Sequence, residues 1–161
     1  MNEKTFKMAK EELVDSLSSN QERCIESIED VRSCNNIKEL VDVLNKYRIF
    51  IKNESLPNTD YMRKWFGKYI DELNKHNVYL DQTFDLRQSE NDKELWLYGV
   101  CDCRLFIDKI KMQHIVLHGD SLLRLNMRNW GLAHIILKDN SNIIFEQRGA
   151  RDSVMIIDKR L

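Results

Sequence analysis

The stretch Leu117-His118-Gly119-Asp120-Ser121-Leu122-Leu123-Arg124-Leu125 decides the fold, because a similar stretch follows twenty residues later. That second stretch is Leu137-Lys138-Asp139-Asn140-Ser141-Asn142-Ile143-Ile144-Phe145. Every tenth residue outward from these two is apolar, in a column of Leu95, Leu105, Ile115, Leu125, Ile135, Phe145 and Met155. Two positions later a second column is apolar except at Gln147, with Leu97, Ile107, Leu117, Met127, Leu137 and Ile157. The spacing predicts short strands with side chains alternately inward and outward, separated by a tight turn every ten residues.

A ten-residue period fits either an antiparallel β-meander or a β-solenoid whose full coil contains two strands. The residues between the two columns are apolar in alternate units, at Trp96, Val116, Ile136 and Ile156, whereas the other units have Phe106, Asn126 and Glu146. This alternation favours the solenoid, because residues twenty apart then stack on adjacent coils. The first set would form an outward apolar ladder. We expect this ladder to be an interaction site, covered by the N-terminal helices or by a second copy of the chain in a homodimer.

The N-terminal half has a helical period instead. Apolar residues recur at 3.6 spacing from about residue 5 to residue 76, with helix-start signals at Ser19 and at Asn36, and a stop before Pro57. One further helix is predicted over residues 59–74. We therefore predict an α+β chain, with three or four helices in residues 1–77 and a β-repeat domain in residues 78–161. Within the second part, residues 78–80 are predicted as the first strand and residues 87–93 as a polar connection.

The two quoted stretches resemble the coils of β-solenoid repeat proteins encoded by Bacteroidetes and their prophages, some of which also carry a helical N-terminal segment. The resemblance covers residues 95–158 and weakens at residues 131–134 and 151–154. A regular, rigid stack offers a flat recognition surface, so we expect a non-enzymatic protein–protein interaction module. The resemblance implies a more specific form of it, a phage- or prophage-encoded inhibitor that binds a bacterial defence protein, as anti-CRISPR proteins do. The family has no known active site, so no functional residue is carried over from it.

Composition excludes several classes of function. The 161 residues contain 25 Lys and Arg against 26 Asp and Glu, so the net charge of −1 gives no overall attraction to nucleic acid or to an anionic membrane. No apolar run approaches the roughly 18 residues that span a bilayer. Four cysteines are too few for a disulfide scaffold in a chain of this length. We expect a cytoplasmic protein with reduced thiols and no membrane partner.

One cluster has metal-ligand residue types: Cys101 and Cys103, with His114 and His118. A structural protein with a metal site here is the second alternative, but a C-x-C pair in a strand without a second pair favours two small core residues. His114 and His134 should stack on adjacent coils, where a pair of imidazoles could titrate together. His118, Asp120 and Ser121 lie too close in sequence for a catalytic triad. We expect no enzymatic activity and no cofactor.

The positively charged residues of the β half give the first alternative function. In a twenty-residue register Arg104 and Arg124 form one column, and Arg128 and Arg148 another. A ladder of guanidiniums could contact the phosphates of a nucleic acid, RNA in particular, or an acidic partner. A solvated ladder is the competing interpretation.

Glycine placement follows the same register. Gly99, Gly119 and Gly149 share one turn position, with Asn129 and Asp139 as substitutes, where a positive φ is predicted.

Overall fold

The computed structural model describes residues 1–19, 25–47, 57–88 and 94–160. The chain divides into two compact units, residues 1–76 and 77–161. No helix within the described ranges is long and apolar enough to cross a membrane.

The described part of the first unit contains five helices. They are α1 (Glu3–Ser19), α2 (Ile25–Ser33), α3 (Ile37–Lys46), α4 (Thr59–Phe66) and α5 (Ile70–Asn74). Asn36 is the N-cap of α3, as the sequence predicts. Its side chain accepts a hydrogen bond from the backbone N–H of Glu39 at 2.9 Å, and the Glu39 carboxylate accepts one from the N–H of Asn35 at 2.7 Å. The helix start predicted at Ser19 falls partly outside the described residues.

The prediction of a single helix over residues 59–74 is wrong, because the helix is interrupted at Gly67. A Cβ at this position would lie 2.7 Å from the carbonyl oxygen of Arg63, a separation that real side chains do not tolerate. Tyr69 then donates its backbone N–H to Phe66 in a tighter turn, at 2.8 Å, before α5 begins. The apolar periodicity continues across this break, which is why the sequence pattern concealed it.

The second unit is a parallel β-solenoid of about four coils, which confirms the predicted fold class and excludes the meander. Its strands are β1 (Val78–Leu80), β2 (Thr83–Arg87), β3 (Leu95–Tyr98), β4 (Asp102–Ile107), β5 (Met112–Leu117), β6 (Leu122–Met127), β7 (Leu132–Leu137), β8 (Asn142–Gln147) and β9 (Ser153–Asp158). Odd-numbered strands form one sheet and even-numbered strands the other, each in sequence order. Strand β2 was not predicted, although Phe84 and Leu86 alternate with polar residues as a half-buried strand requires.

The core lies between the two sheets and is filled by inward side chains such as Leu105, Leu125 and Ile135. Two stacks of turns connect the sheets. The first corner, residues 99–101, 118–121 and 138–141, leads from the odd to the even sheet, and the second corner, residues 108–111, 128–131 and 148–152, leads back. Gly99, Gly119, Asn129 and Asp139 adopt the predicted positive φ. Gly149 does not, and a Cβ there would instead approach the Asp152 carboxylate at 2.9 Å.

The last coil is one residue longer than the twenty-residue register predicts. Phe145 pairs with Leu125, but Gln147 pairs with Asn126, so Glu146 is an extra residue in β8. From there on, pairing in β9 is offset by 21, and Ile136 pairs with Ile157. The predicted membership of Ile156 in the outward ladder is therefore wrong.

Candidate interaction surfaces of the solenoid

The predicted apolar ladder is in register but buried. Trp96 pairs with Val116 and Val116 with Ile136, and all three side chains are almost fully inaccessible to solvent. Ile157 continues the column and is half-buried. Because the first three residues are already inaccessible, they offer no surface to a separate partner.

A column of stacked rings adjoins this ladder and shares Trp96 with it; the other two rings are those of Tyr98 and His118. The His118 imidazole lies parallel to the Tyr98 ring with centroids 4.5 Å apart, and Trp96 stacks 6.5 Å from it. His118 Nδ1 is 3.7 Å from the Asp139 carboxylate. Burial lowers the pKa of His118 to about 4, so the imidazole is neutral at pH 7. Ser121 donates its hydroxyl to the carbonyls of Gly99 and His118, so it serves as a turn residue rather than as a nucleophile.

His114 and His134 stack on adjacent strands as their spacing predicts. Their Nδ1 atoms are 3.0 Å apart and the rings are perpendicular. One Nδ1 must donate to the other, so this hydrogen bond is lost if both rings are protonated.

The cysteines of the proposed metal cluster belong to the core. Cys101 and Cys103 are buried free thiols between the sheets, and burial raises the pKa of both, that of Cys103 to about 12. The Cys101 thiol donates to the carbonyl of Tyr98 at 3.2 Å, the role that Ser121 has one coil later. Among the described residues no group of three His, Cys, Asp or Glu side chains could hold a metal ion. The structure therefore places these cysteines as packing and turn residues.

The four predicted arginines divide into two classes. Arg104 and Arg124 do pair in register, but each contacts a carboxylate. Arg104 binds Glu146 at 3.0 Å, and Arg124 makes a two-pronged contact with Asp102 at 2.8 and 3.0 Å. These ion pairs neutralise the outer face of the even sheet, as in the solvated-ladder interpretation.

Arg128 and Arg148 lie at the second corner and have no carboxylate partner within the described chain. Arg128 donates to the neutral side-chain amide oxygen of Gln147 at 2.8 and 3.0 Å, and Arg148 to the backbone carbonyl of Asp152 at 3.4 Å. The predicted twenty-residue pairing of Arg128 with Arg148 is wrong, because the extra residue in β8 shifts the register: Asn126 pairs with Gln147, and the Arg128 guanidinium bonds the Gln147 side chain. The two guanidiniums nevertheless remain exposed at the same corner.

The sequence pattern did not indicate three further residues in successive turns of the second corner, namely Ile110, Trp130 and Arg151. Ile110 is 75% exposed and Trp130 is 50% exposed. The Arg151 guanidinium lies 4.7 Å from the centre of the Trp130 ring, a cation–π contact. We call these three residues, with Arg128 and Arg148, the Trp130 corner. The signal in the sequence was the weakened repeat at Gly131, which marked this turn as different.

The Trp130 backbone is strained. Asn129 and Trp130 both have positive φ, 56° and 66°, a region that bulky residues avoid at a cost of about 1–2 kcal/mol. The next residue fixes the turn: Gly131 donates its N–H to the Asp152 carboxylate of the following coil at 2.8 Å. A Cβ on Gly131 would lie 3.0 Å from Ile107, so the turn has little room to relax. Strain held in this way often marks a functional position.

No family model, curated protein or solved structure matches this chain.

Proposed function

We propose that the protein is a non-enzymatic interaction module that binds an acidic protein surface through the Trp130 corner. The observation that carries this proposal is the half-exposed Trp130, held at positive φ beneath Arg151. Tryptophan and arginine are the residues most enriched among the energetic centres of protein interfaces. A solenoid with a packed core presents such residues on a rigid frame, which lowers the entropy lost on binding.

The chemistry of the partner follows from the charges at the corner. Arg128, Arg148 and Arg151 form no ion pair with a carboxylate in the described chain, in contrast to Arg104 and Arg124. Planar guanidiniums bind carboxylates in two-pronged geometry. The partner would therefore offer an apolar pocket for the Trp130 indole, with Asp or Glu side chains around it.

The resemblance of the coils to prophage-encoded solenoids favours one biological setting. In that setting the protein acts in the bacterial cytoplasm as a phage- or prophage-encoded inhibitor, and the acidic partner is a defence protein, as for anti-CRISPR proteins.

A nucleic acid is the alternative partner, because Arg128, Arg148 and an exposed indole could also bind phosphates and a base. This alternative is tested by titrating labelled duplex DNA and single-stranded RNA at about 50 and about 200 mM salt, since phosphate contacts give a steep salt slope. We expect no specific binding at either salt concentration. Tight, salt-sensitive binding that Arg128→Gln weakens would favour the nucleic acid.

Trp130→Gly and Trp130→Ala separate a binding role from a packing role. Both remove the indole, so both should weaken binding at least tenfold, a typical loss for a central interface residue. Glycine also relieves the positive φ, so Trp130→Gly should be about 1 kcal/mol more stable than Trp130→Ala in urea unfolding. A residue kept for stability would instead give two variants that unfold more easily and still bind.

The binding measurement uses immobilised protein and a nuclease-treated lysate of a Bacteroidetes bacterium. A captured protein is then purified and titrated against each variant. Arg104→Gln is the control, because Arg104 pairs with Glu146 on the outer face of the even sheet and is not part of the Trp130 corner. The proposal requires a protein that wild type and Arg104→Gln retain and that both Trp130 variants lose. Equal retention by all four contradicts it.

A further inference from the structure

The C-terminal end of the solenoid exposes side chains that are core residues in every earlier coil. Phe145 and Ile156 take the inward positions of the last coil, in register with Leu125 and Ile135. Leu125 and Ile135 are fully buried, whereas Phe145 is 40% exposed and Ile156 is 45% exposed. Within the described residues this end of the solenoid is therefore an open cross-section of its own core, of the kind that solenoids normally cover with a capping element.

Strands β8 and β9 are the edge strands at this end, and they differ in how readily they could pair with another strand. Strand β8 is bulged at Glu146, whose carboxylate accepts hydrogen bonds from Asn126 at 2.8 Å and from Arg104 at 3.0 Å. Bulges and charges on an edge strand obstruct pairing with another strand. Strand β9 pairs with β7 over six consecutive residues without interruption. Its other edge is thus regular and ready to accept a strand.

We propose that this end binds the same end of a second copy of the chain, in a two-fold symmetric dimer. The shape of the end selects this occupant. Its apolar side chains come from two strands in different sheets, and packed sheets lie about 10 Å apart. A single extended peptide would cover β9 and leave Phe145 in water. The end of a second copy has two strands at the same spacing and the same apolar side chains between them, so it covers both.

Symmetry and the pleat restrict how β9 can pair. A two-fold axis makes the two β9 strands antiparallel. Directly opposite residues of an antiparallel pair lie on the same face of the sheet, and the joined core requires inward residues to lie opposite inward residues. Because inward and outward residues alternate along β9, this holds only if the two-fold axis passes through a residue, which then pairs with the same residue of the second copy. The register with Met155 on the axis places Val154 opposite the Ile156 of the second copy, whereas the neighbouring registers place Asp158 or Asp152 opposite one of these apolar residues. In the Met155 register Asp158 faces Asp152, which precedes the strand. The dimer is therefore centred on Met155.

A cysteine at position 155 tests this register. Directly opposite residues in an antiparallel pair have Cα atoms about 4.5–5.5 Å apart, within the range for a disulfide. In a Cys24→Ser background the native thiols that remain are the buried Cys34, Cys101 and Cys103. We expect Met155→Cys to form covalent dimers under mild oxidation. Val100→Cys, an exposed control on the first corner, should not do so at the same protein concentration.

The mass in solution provides the second readout. The end is small beside a standard interface, so dimerisation should be weak and requires sedimentation over about 1–300 μM protein. Wild type should approach twice the chain mass at the highest concentrations. Phe145→Glu should remain monomeric, because two carboxylates would meet at the joined core. Ile110→Glu, on the Trp130 corner, should dimerise like wild type.

The proposal is overturned by a wild type that is monomeric throughout. It is equally overturned by a dimer that Phe145→Glu does not dissociate, or by equal cross-linking of the two cysteine variants. These measurements record self-association in the absence of any partner protein, so the dimer and the Trp130 corner succeed or fail separately, although the Phe145 ring lies 5.6 Å from the Arg148 guanidinium.

Discussion

Ile136→Asp should unfold the solenoid, whereas Ile156→Asp should leave it folded. The two substitutions are chemically identical and lie one coil apart, but Ile136 is 3% exposed and Ile156 is 45% exposed. At Ile136 the change removes a buried aliphatic side chain and places a carboxylate where water is excluded. Together these effects cost more than about 4 kcal/mol, a large share of the stability of a domain of this size. At Ile156 the carboxylate remains hydrated.

The measurement is urea unfolding followed by circular dichroism at low protein concentration, so that association does not add to stability. Ile156→Asp should keep its unfolding midpoint near that of wild type while losing the dimer. If Ile136→Asp unfolds at the wild-type midpoint, the outward ladder is not buried in solution. If Ile156→Asp unfolds as easily as Ile136→Asp, the last coil is closed rather than open.

The sequence predicted the solenoid because its coils are nearly identical in length. In coils of twenty residues, inward positions stay inward, so apolar columns at intervals of ten reveal both the strands and their stacking. The same reasoning correctly paired Arg104 with Arg124 and His114 with His134. Where coils have equal length, the spacing of the apolar residues is therefore sufficient to predict which residues pair.

Single-residue departures were not predictable in the same way. The extra residue at Glu146 changes no apolar column before it, yet it moves every later partner by one position. Ile156 and Ile157 are both isoleucine, so the pattern could not show which one faces outward. The break at Gly67 is similar, since the apolar face continues on both sides of it.

The candidate surfaces depended on contacts between coils, which spacing does not specify. Arg104 and Arg128 look alike in the sequence, and only the positions of Glu146 and Gln147 decide that the first is neutralised and the second is not. Trp130 occupies a position that a turn residue would normally fill. Its positive φ is found next to a contact between coils, since the Asp152 carboxylate of the following coil accepts a hydrogen bond from the N–H of Gly131.

The two proposals reinforce each other if both hold. A dimer joined end to end contains two Trp130 corners, one on each solenoid. A partner with two acidic sites would then bind with an avidity beyond that of one corner, because the second contact forms within the complex. The dissociating variant Ile156→Asp should then weaken binding to an oligomeric partner and leave binding to a monomeric one unchanged.

Acid should destabilise the protein through His118, and His118→Phe should remove most of that effect. The unfolded chain binds a proton at this imidazole with the ordinary pKa of 6.5, whereas burial lowers the pKa to about 4 in the folded state. Between these two values the unfolded state holds more protons, so stability falls as the pH decreases from about 6.5 and levels off below about 4. The full loss is about 3 kcal/mol, at 1.36 kcal/mol for each pKa unit.

Phenylalanine is the matched replacement, because it keeps an aromatic ring against Tyr98 and cannot be protonated. The other histidines are present in both proteins, so their contributions cancel in the comparison. The Asp139 carboxyl has its pKa lowered from 3.8 to about 2, chiefly by His118, so its contribution changes in the variant, but it is ionised in both the folded and the unfolded state above about pH 5. Urea unfolding at several values between pH 5 and pH 7 should therefore give a steep slope for wild type and a shallow one for His118→Phe. Equal slopes would mean that water reaches His118 in the folded protein, and the ring column beside the buried ladder would then be open to solvent.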